Sequence, residues 1–408
     1  MTATTPDSPV RAGSPRSWLA ALRDALSRPL TNYYLLLGSI ALLLTIGLLM
    51  VLSSSSVEAF RQTGDSYATV KRQLLWVGIG IPLALLASRV SMRWVRSLAF
   101  PAFTVSLVLL LATARFGVEV YGNKNWLALG PVQIQPSEIA KLSIIIWAAH
   151  IYANKDRRLG SLHQMMVPVV PGMLLATTLV IVGRDLGTAL VFFAILVGML
   201  WVVGAPARLF VLCLSVVSVV ALGLAATSSE RLERITTFVD PFKDYHGTGW
   251  QPAHGLYAMS SGGIFGEGIG ASRQKWGTLP EAHTDFIFAV LGEELGLVGT
   301  LLVIGLFLTI AYATLRIARQ TTDPFVRYCS FGIVIWLLGQ MMINVGMVLA
   351  LLPVIGIPLP LVSYGGSSLL PTLIALGLVI GFARREPAAA RALAQRRRTR
   401  SAGLSARR

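Results

Sequence analysis

Apolar and polar positions along this chain fall into long blocks. Ten predominantly apolar runs lie at roughly 34–53, 73–88, 98–114, 138–153, 166–183, 187–203, 208–227, 285–312, 328–350 and 367–383. Runs of about 17 to 25 residues cross a bilayer core as helices, at about 1.5 Å per residue. The pattern predicts an all-α, polytopic integral membrane protein. Irregular backbone cannot face lipid, so the ten helices are expected as a single bundle. The polar, Gly-rich interval 228–284 predicts a large loop between the seventh and eighth helices. The flanks, 1–30 and 384–408, are rich in Ala, Ser, Pro and Arg and read as disordered tails around a membrane domain at 31–383. The first run follows about 30 mostly polar residues and lacks a small-residue cleavage pattern after it, so it reads as a retained helix.

Composition agrees: 54% of the 408 residues are hydrophobic and 13% charged, about half the charge of a soluble domain. Charge also orients the bundle. With both termini cytoplasmic, 23 of the 35 Lys and Arg fall in the tails and cytoplasmic loops, as the positive-inside rule requires. The 228–284 loop is then extracytoplasmic. This distribution explains the net charge of +16 by attraction to anionic headgroups, with no call on nucleic acid. Cys213 and Cys329 sit in apolar surroundings without paired spacing and read as core residues. No metal-ligand cluster is evident.

Under this topology the Gly, Pro, acids and amides gather in four outward segments: 115–137, the turn 183–188, the long loop, and 353–368. The last, PVIGIPLPLVSYGGSS, is too apolar for an exposed loop and reads as re-entrant or cavity-lining. Pro136 suits a first helical turn, and Glu138 and Lys141 share a helix face and can pair. Asp285 ends the long loop where the eighth apolar run begins. It is either a carboxylate placed at the membrane surface to act on a lipid-linked polar substrate, or a helix-capping acid. Glu293 and Glu294 follow inside the run; Glu293, nearer the Asp285 face, reads as a structural or cavity partner.

The segments QPSEIAKL (135–142), DLGTA (185–189), SGGIFGEGIG (261–270), LPEAHTDFIFAVLGEELG (279–296) and PLPLVSYGGSS (358–368) together resemble the SEDS family (shape, elongation, division and sporulation proteins). SRQKW at 272–276 and GEE at 292–294 are more similar to the division members than to the elongation members. The chain departs from the family pattern at Gly183-Arg184, where Gln-Pro is common before DLGT, and at Asn125, often basic.

The resemblance implies ten helices and polymerisation of lipid II, a disaccharide-peptide on undecaprenyl diphosphate, into glycan strands at the outer face. It also implies a class B penicillin-binding protein (a transpeptidase) and other division proteins as partners, in the cytoplasmic membrane at the division septum. The family's essential loop aspartate corresponds to Asp285. A carboxylate there can take the proton of an attacking sugar hydroxyl, while cations hold the departing diphosphate. Candidate diphosphate ligands are Lys124, Lys141, Arg184, Arg273 and Lys275, each weighed against a snorkelling or ion-pair role. Glu138, His283 and Ser363 complete the candidate binding set. No cofactor is evident; a divalent cation at the diphosphate is compatible with the chemistry. The rival functions are a lipid II flippase and a non-catalytic division scaffold.

Overall fold

The computed structural model describes residues 28–120, 123–130, 132–226 and 240–395. The expected tails at 1–27 and 396–408, with Arg396–Arg398, and the start of the long loop at 227–239 lie outside the described residues. Helix α1 spans Thr31–Thr63, α2 Ala68–Arg89, α3 Ala99–Phe116, α4 Pro136–Lys155, α5 Val169–Val182 and α6 Leu186–Val203. Then come α7 Ala207–Ala226, α8 Trp250–Ser261, α9 Ile287–Gln320, α10 Pro324–Val348 and α11 Gly366–Arg385. All but α8 coincide with the ten predicted spans. Among the described residues, eight helical regions are long and apolar enough to cross a membrane; α4, which carries an internal ion pair, and α7 are not among the eight. The chain is a multi-pass membrane protein.

Helix ends follow local chemistry. Helix α1 outruns its apolar block because Ser54 and Ser55 turn their hydroxyls onto Met50 O and Val51 O at 2.7 and 2.6 Å, which hides them within the helix. It stops at Gly64, whose φ of 75° closes the end. Pro136 occupies the first turn of α4, and Asp323 caps α10 through Phe325 N at 2.9 Å.

Helices α4, α9, α10 and α11 contribute much of the interior, where Ile144, Phe288, Phe307 and Trp336 are fully buried. The outer helices turn Leu74, Leu75, Leu86, Val105, Val108, Leu111, Val211 and Leu214 outward. In water such a surface would aggregate; in a bilayer it is the solvent-matched face.

Two details depart from the all-α, disordered-tail expectation. The first outward segment folds as a small antiparallel meander, β1 Val118–Val120, β2 Asn123–Leu129 and β3 Val132–Ile134. Val118 pairs with Trp126 and Leu127 with Ile134, and Gly130 makes the turn at φ 64°. The tail expected from 384 onward is helical over 387–395, here α12. Pro387 starts it, and the Ala-rich PAAARALAQ has high helix propensity that a composition argument overlooked.

Candidate active site

At one end of the bundle the four outward segments meet. The 353–365 segment forms no regular structure, so its backbone needs partners from elsewhere. Side chains from the helices supply several. Asn344 of α10 donates from Nδ2 to both Asp285 O (2.8 Å) and Ile357 O (2.7 Å). One turn earlier, Gln340 donates to Pro358 O at 2.9 Å. Gln73 of α2 donates to Ser363 O and accepts from Gly365 N, each at 3.3 Å. Ser363 Oγ donates to Thr284 O at 2.6 Å and accepts from Leu359 N at 2.8 Å, while Tyr364 N bonds His283 O at 3.0 Å. The 353–365 segment is therefore stitched to the turn carrying Asp285.

Asp285 itself is half-buried. Phe286 occupies the N-cap position of α9 and no side chain caps that helix, so the helix-capping alternative is not realised. No hydrogen bond or ion pair reaches the Asp285 carboxylate among the described residues. Opposite it lies Gly356 at φ 70°, where an added Cβ would sit 3.4 Å from Asp285 Oδ2; the glycine leaves the carboxyl its space. Burial, aided by the neighbouring charges of Glu281 and Asp185, pushes the Asp285 carboxyl up to about 7.

Asp185, by contrast, is saturated. Its carboxylate caps α6 through Thr188 N and Thr188 Oγ1, both at 2.9 Å, and accepts from Asn125 Nδ2 (3.0 Å) and Gln135 Nε2 (3.2 Å). It ties the meander to α6, helped by Lys124 N on Gly183 O at 2.8 Å. A cavity of about 10 Å³ beside Lys124, Asn125 and Asp185 has room for about one water.

The five expected cations separate into two groups. Lys124 is partly exposed, with Nζ on Arg115 O at 3.0 Å. Arg184, at φ 62°, is 63% exposed and only 3.9 Å from Glu119, a loose surface pair. Arg273 is exposed. The other two are corrections. Lys141 is buried between Glu138 Oε1 (2.7 Å) and Gln340 Oε1 (2.9 Å). Lys275 is buried on Glu294 Oε1 (3.2 Å), Ser53 Oγ (3.0 Å) and Gly270 O (2.6 Å). Both amines face the interior, where an ammonium must be paired, so they brace the scaffold. Glu138 and Ser363 do the same. His283 lies 3.6 Å from Glu58 and against the Tyr364 ring.

The acids of α9 also brace the loop. Glu293 accepts from Ser272 Oγ (2.5 Å) and Arg273 N (2.9 Å). Helix α9 breaks at Gly296, φ 66° and ψ −164°, and the glycine-rich 262–268 stretch fits into the break. Glu267 N and Gly268 N bond Glu293 O and Glu294 O at 2.9 and 3.1 Å, and Gly263 O and Ile264 O take Leu297 N and Val298 N at 2.9 and 3.1 Å. A Cβ on Gly266 would lie 2.2 Å from Glu294 O, so this close approach demands glycine. Sequence reasoning missed Gln73, Gln340, Asn344, Asp185 and Glu281 as site-builders. Gln340 and Asn344 carried a signal, two amides four apart in an apolar span, as did Asp185 before Gly187-Thr188. Glu281 carried none.

The family of cell cycle proteins that groups FtsW, RodA and SpoVE matches residues 33–387. The chain is 39% identical over 370 residues to the "Probable peptidoglycan glycosyltransferase FtsW" of Mycobacterium tuberculosis, covering 90% of this chain and 71% of that one. It is 37% identical over 347 residues to the stage V sporulation protein E of Bacillus subtilis, covering 85% of this chain and 94% of that one. A solved structure described as "Structural coordination of polymerization and crosslinking by a peptidoglycan synthase complex" superposes with a TM-score of 0.70 at 29% identity, over 86% of this chain and 97% of that one. The chain belongs to the FtsW/RodA/SpoVE family.

Proposed function

We propose that this protein is a peptidoglycan glycosyltransferase that joins lipid II units into glycan strands, with Asp285 as general base. One observation carries the reading: a half-buried carboxyl without a partner among the described residues, pushed up to about 7, stands where four outward segments converge. A carboxylate of ordinary acidity is a feeble base for a sugar hydroxyl; one near 7 is stronger and still substantially ionised at neutral pH. In the reaction, the acceptor hydroxyl attacks the anomeric carbon of the donor. A new C–O bond forms as the bond to the diphosphate breaks, Asp285 takes the hydroxyl proton, and undecaprenyl diphosphate leaves with the electron pair. Attack opposite the leaving group converts the α-linked donor to a β-linked strand and needs one base.

The exposed cations Lys124, Arg184 and Arg273 are proposed to hold the diphosphate, whose charge grows as it departs. A divalent cation at the diphosphate would neutralise the same charge, although no cluster of three or more metal-ligating side chains lies among the described residues to hold one. The 23-to-12 distribution of Lys and Arg supports cytoplasmic termini and a site on the outer face of the cytoplasmic membrane. Similarity to FtsW and to a chain of a peptidoglycan synthase complex supports a septal role beside a class B penicillin-binding protein. The test is purified protein, with and without that transpeptidase, given lipid II in detergent and assayed for glycan chains by gel electrophoresis. Chains in either sample support the enzyme. Their absence from both, with lipid II crossing vesicles that contain the protein, would favour the flippase.

A further inference from the structure

The end of the bundle remote from Asp285 holds a second cleft. Helix α2 carries Gln73 at the active-site end and reaches Arg89 sixteen residues later, about 24 Å along the axis. There α2 and α11 touch backbone to backbone: a Cβ on Gly381 would lie 2.8 Å from Ser88 O, and one on Gly377 2.3 Å from Ala84 O. Helix α12 folds back beside this contact. The three enclose a cleft of about 530 Å³, lined by Arg89, Arg384 and Arg385 together with Ser88, Gly381 and Leu393.

Three guanidinium groups share this space, and no carboxylate pairs with any of them among the described residues. Arg384 donates to Ser88 Oγ at 3.5 Å and Arg385 to Val90 O, neutral acceptors that leave most of their donors free. The Arg89 side chain makes no bond to the described residues. The adjacent acid, Glu386, is turned to Asn32, accepting from its Nδ2 at 3.1 and 3.3 Å. Like charges gathered this closely repel, and an anion between them relieves the repulsion. Beside the cleft, Leu85, one turn before Arg89, and Leu86 are 50% and 60% exposed on the lipid-facing side of α2. An apolar wall running into a cationic pocket at a helix end matches an amphiphile better than a free anion.

We propose that this cleft binds the phosphate headgroup of an anionic membrane phospholipid, with its acyl chains along Leu85 and Leu86. The lipid joins α12 to the bundle by neutralising the arginines that line the cleft beneath it.

The test uses the full-length protein, purified and delipidated in neutral detergent, and follows thermal unfolding and lipid retention by native mass spectrometry. Cardiolipin or phosphatidylglycerol should be retained and should raise the midpoint, on the order of 3 °C at saturation. Phosphatidylcholine should do neither. In the Arg89→Gln/Arg384→Gln/Arg385→Gln variant both effects should vanish. Arg89→Gln alone removes a charge that makes no protein bond, so it preserves the fold and should weaken retention about tenfold. Arg93→Gln/Arg208→Gln, outside the cleft, should behave as the parent. Equal losses in the Arg93/Arg208 variant would show general surface attraction and overturn the site. Inorganic phosphate giving the same rise as cardiolipin at equal concentration would overturn the lipid in favour of a free anion.

Discussion

Replacing Asp285 by Asn isolates proton transfer from shape. Asn keeps the size of the side chain, and nothing bonds the carboxylate among the described residues, so no scaffold contact is lost. General-base catalysis contributes about 10²- to 10⁴-fold, and polymerisation should fall by that order. Glu restores a carboxylate displaced by about one methylene, and misplacement near 1 Å can cost about 100-fold, so Glu should retain partial activity. The parent carries a second signature. With the carboxyl near 7, the ionised fraction is about one tenth at pH 6, half at pH 7 and nine tenths at pH 8, so the rate should climb about tenfold from pH 6 to 8. Stability should move the other way. A carboxyl raised in the fold binds its proton more tightly there than in the unfolded chain, so ionisation destabilises the fold. That loss accrues as pH rises from the ordinary carboxylate range to about 7 and is complete above it. A shift from 3.8 to about 7 corresponds to about 4 kcal/mol, discounted to about 2 kcal/mol because water reaches this half-buried group. The Asn variant should therefore unfold at a higher temperature than the parent at pH 8, with the gap closing towards pH 5. The assays are lipid II polymerisation across pH and thermal unfolding in detergent. An Asn variant that polymerises at the parent rate, or a parent profile flat between pH 6 and 8, would remove Asp285 from the base role.

Arg184→Ala and Arg273→Ala should each raise the KM for lipid II by about 10- to 100-fold, the worth of a charge-assisted hydrogen bond, with unfolding temperature unchanged; unaltered steady-state kinetics in both would take them out of the diphosphate site. Lys275→Met should act oppositely. It leaves Glu294 buried without its cation and should cost about 3 to 5 kcal/mol, read as a lower unfolding temperature, and a stable variant with a raised KM would return Lys275 to the substrate. Orientation is checked with Ser161→Cys and Ser260→Cys, each in a Cys213→Ala/Cys329→Ala background and both exposed. An impermeant thiol reagent should label position 260 and not 161 in intact cells, and the reverse would invert the topology.

Much of the fold was legible because lipid imposes a simple rule: a span must be long, apolar and helical. The ten apolar runs follow from it, and the packing of the apolar, irregular 353–365 segment against protein is consistent with it. Asp285 follows too, as the acid at the loop–helix junction. What one-dimensional reading could not supply was which charges point outward. Lys141 and Arg184 look alike as basic residues near span ends. The first lies on the interior face of α4 with Glu138 and Gln340 in reach, and the second sits on an exposed turn. Lys275 met Glu294 only because the loop folds back onto the break at Gly296, a contact spanning 19 residues. The raised pKa of Asp285 likewise needs the burial that packing provides and the charge of Asp185, which is 100 positions away in the chain. The sequence alone determined the spans, since each helix satisfies its own backbone. Pairing and desolvation depend on distances between segments, and those only the tertiary structure decided.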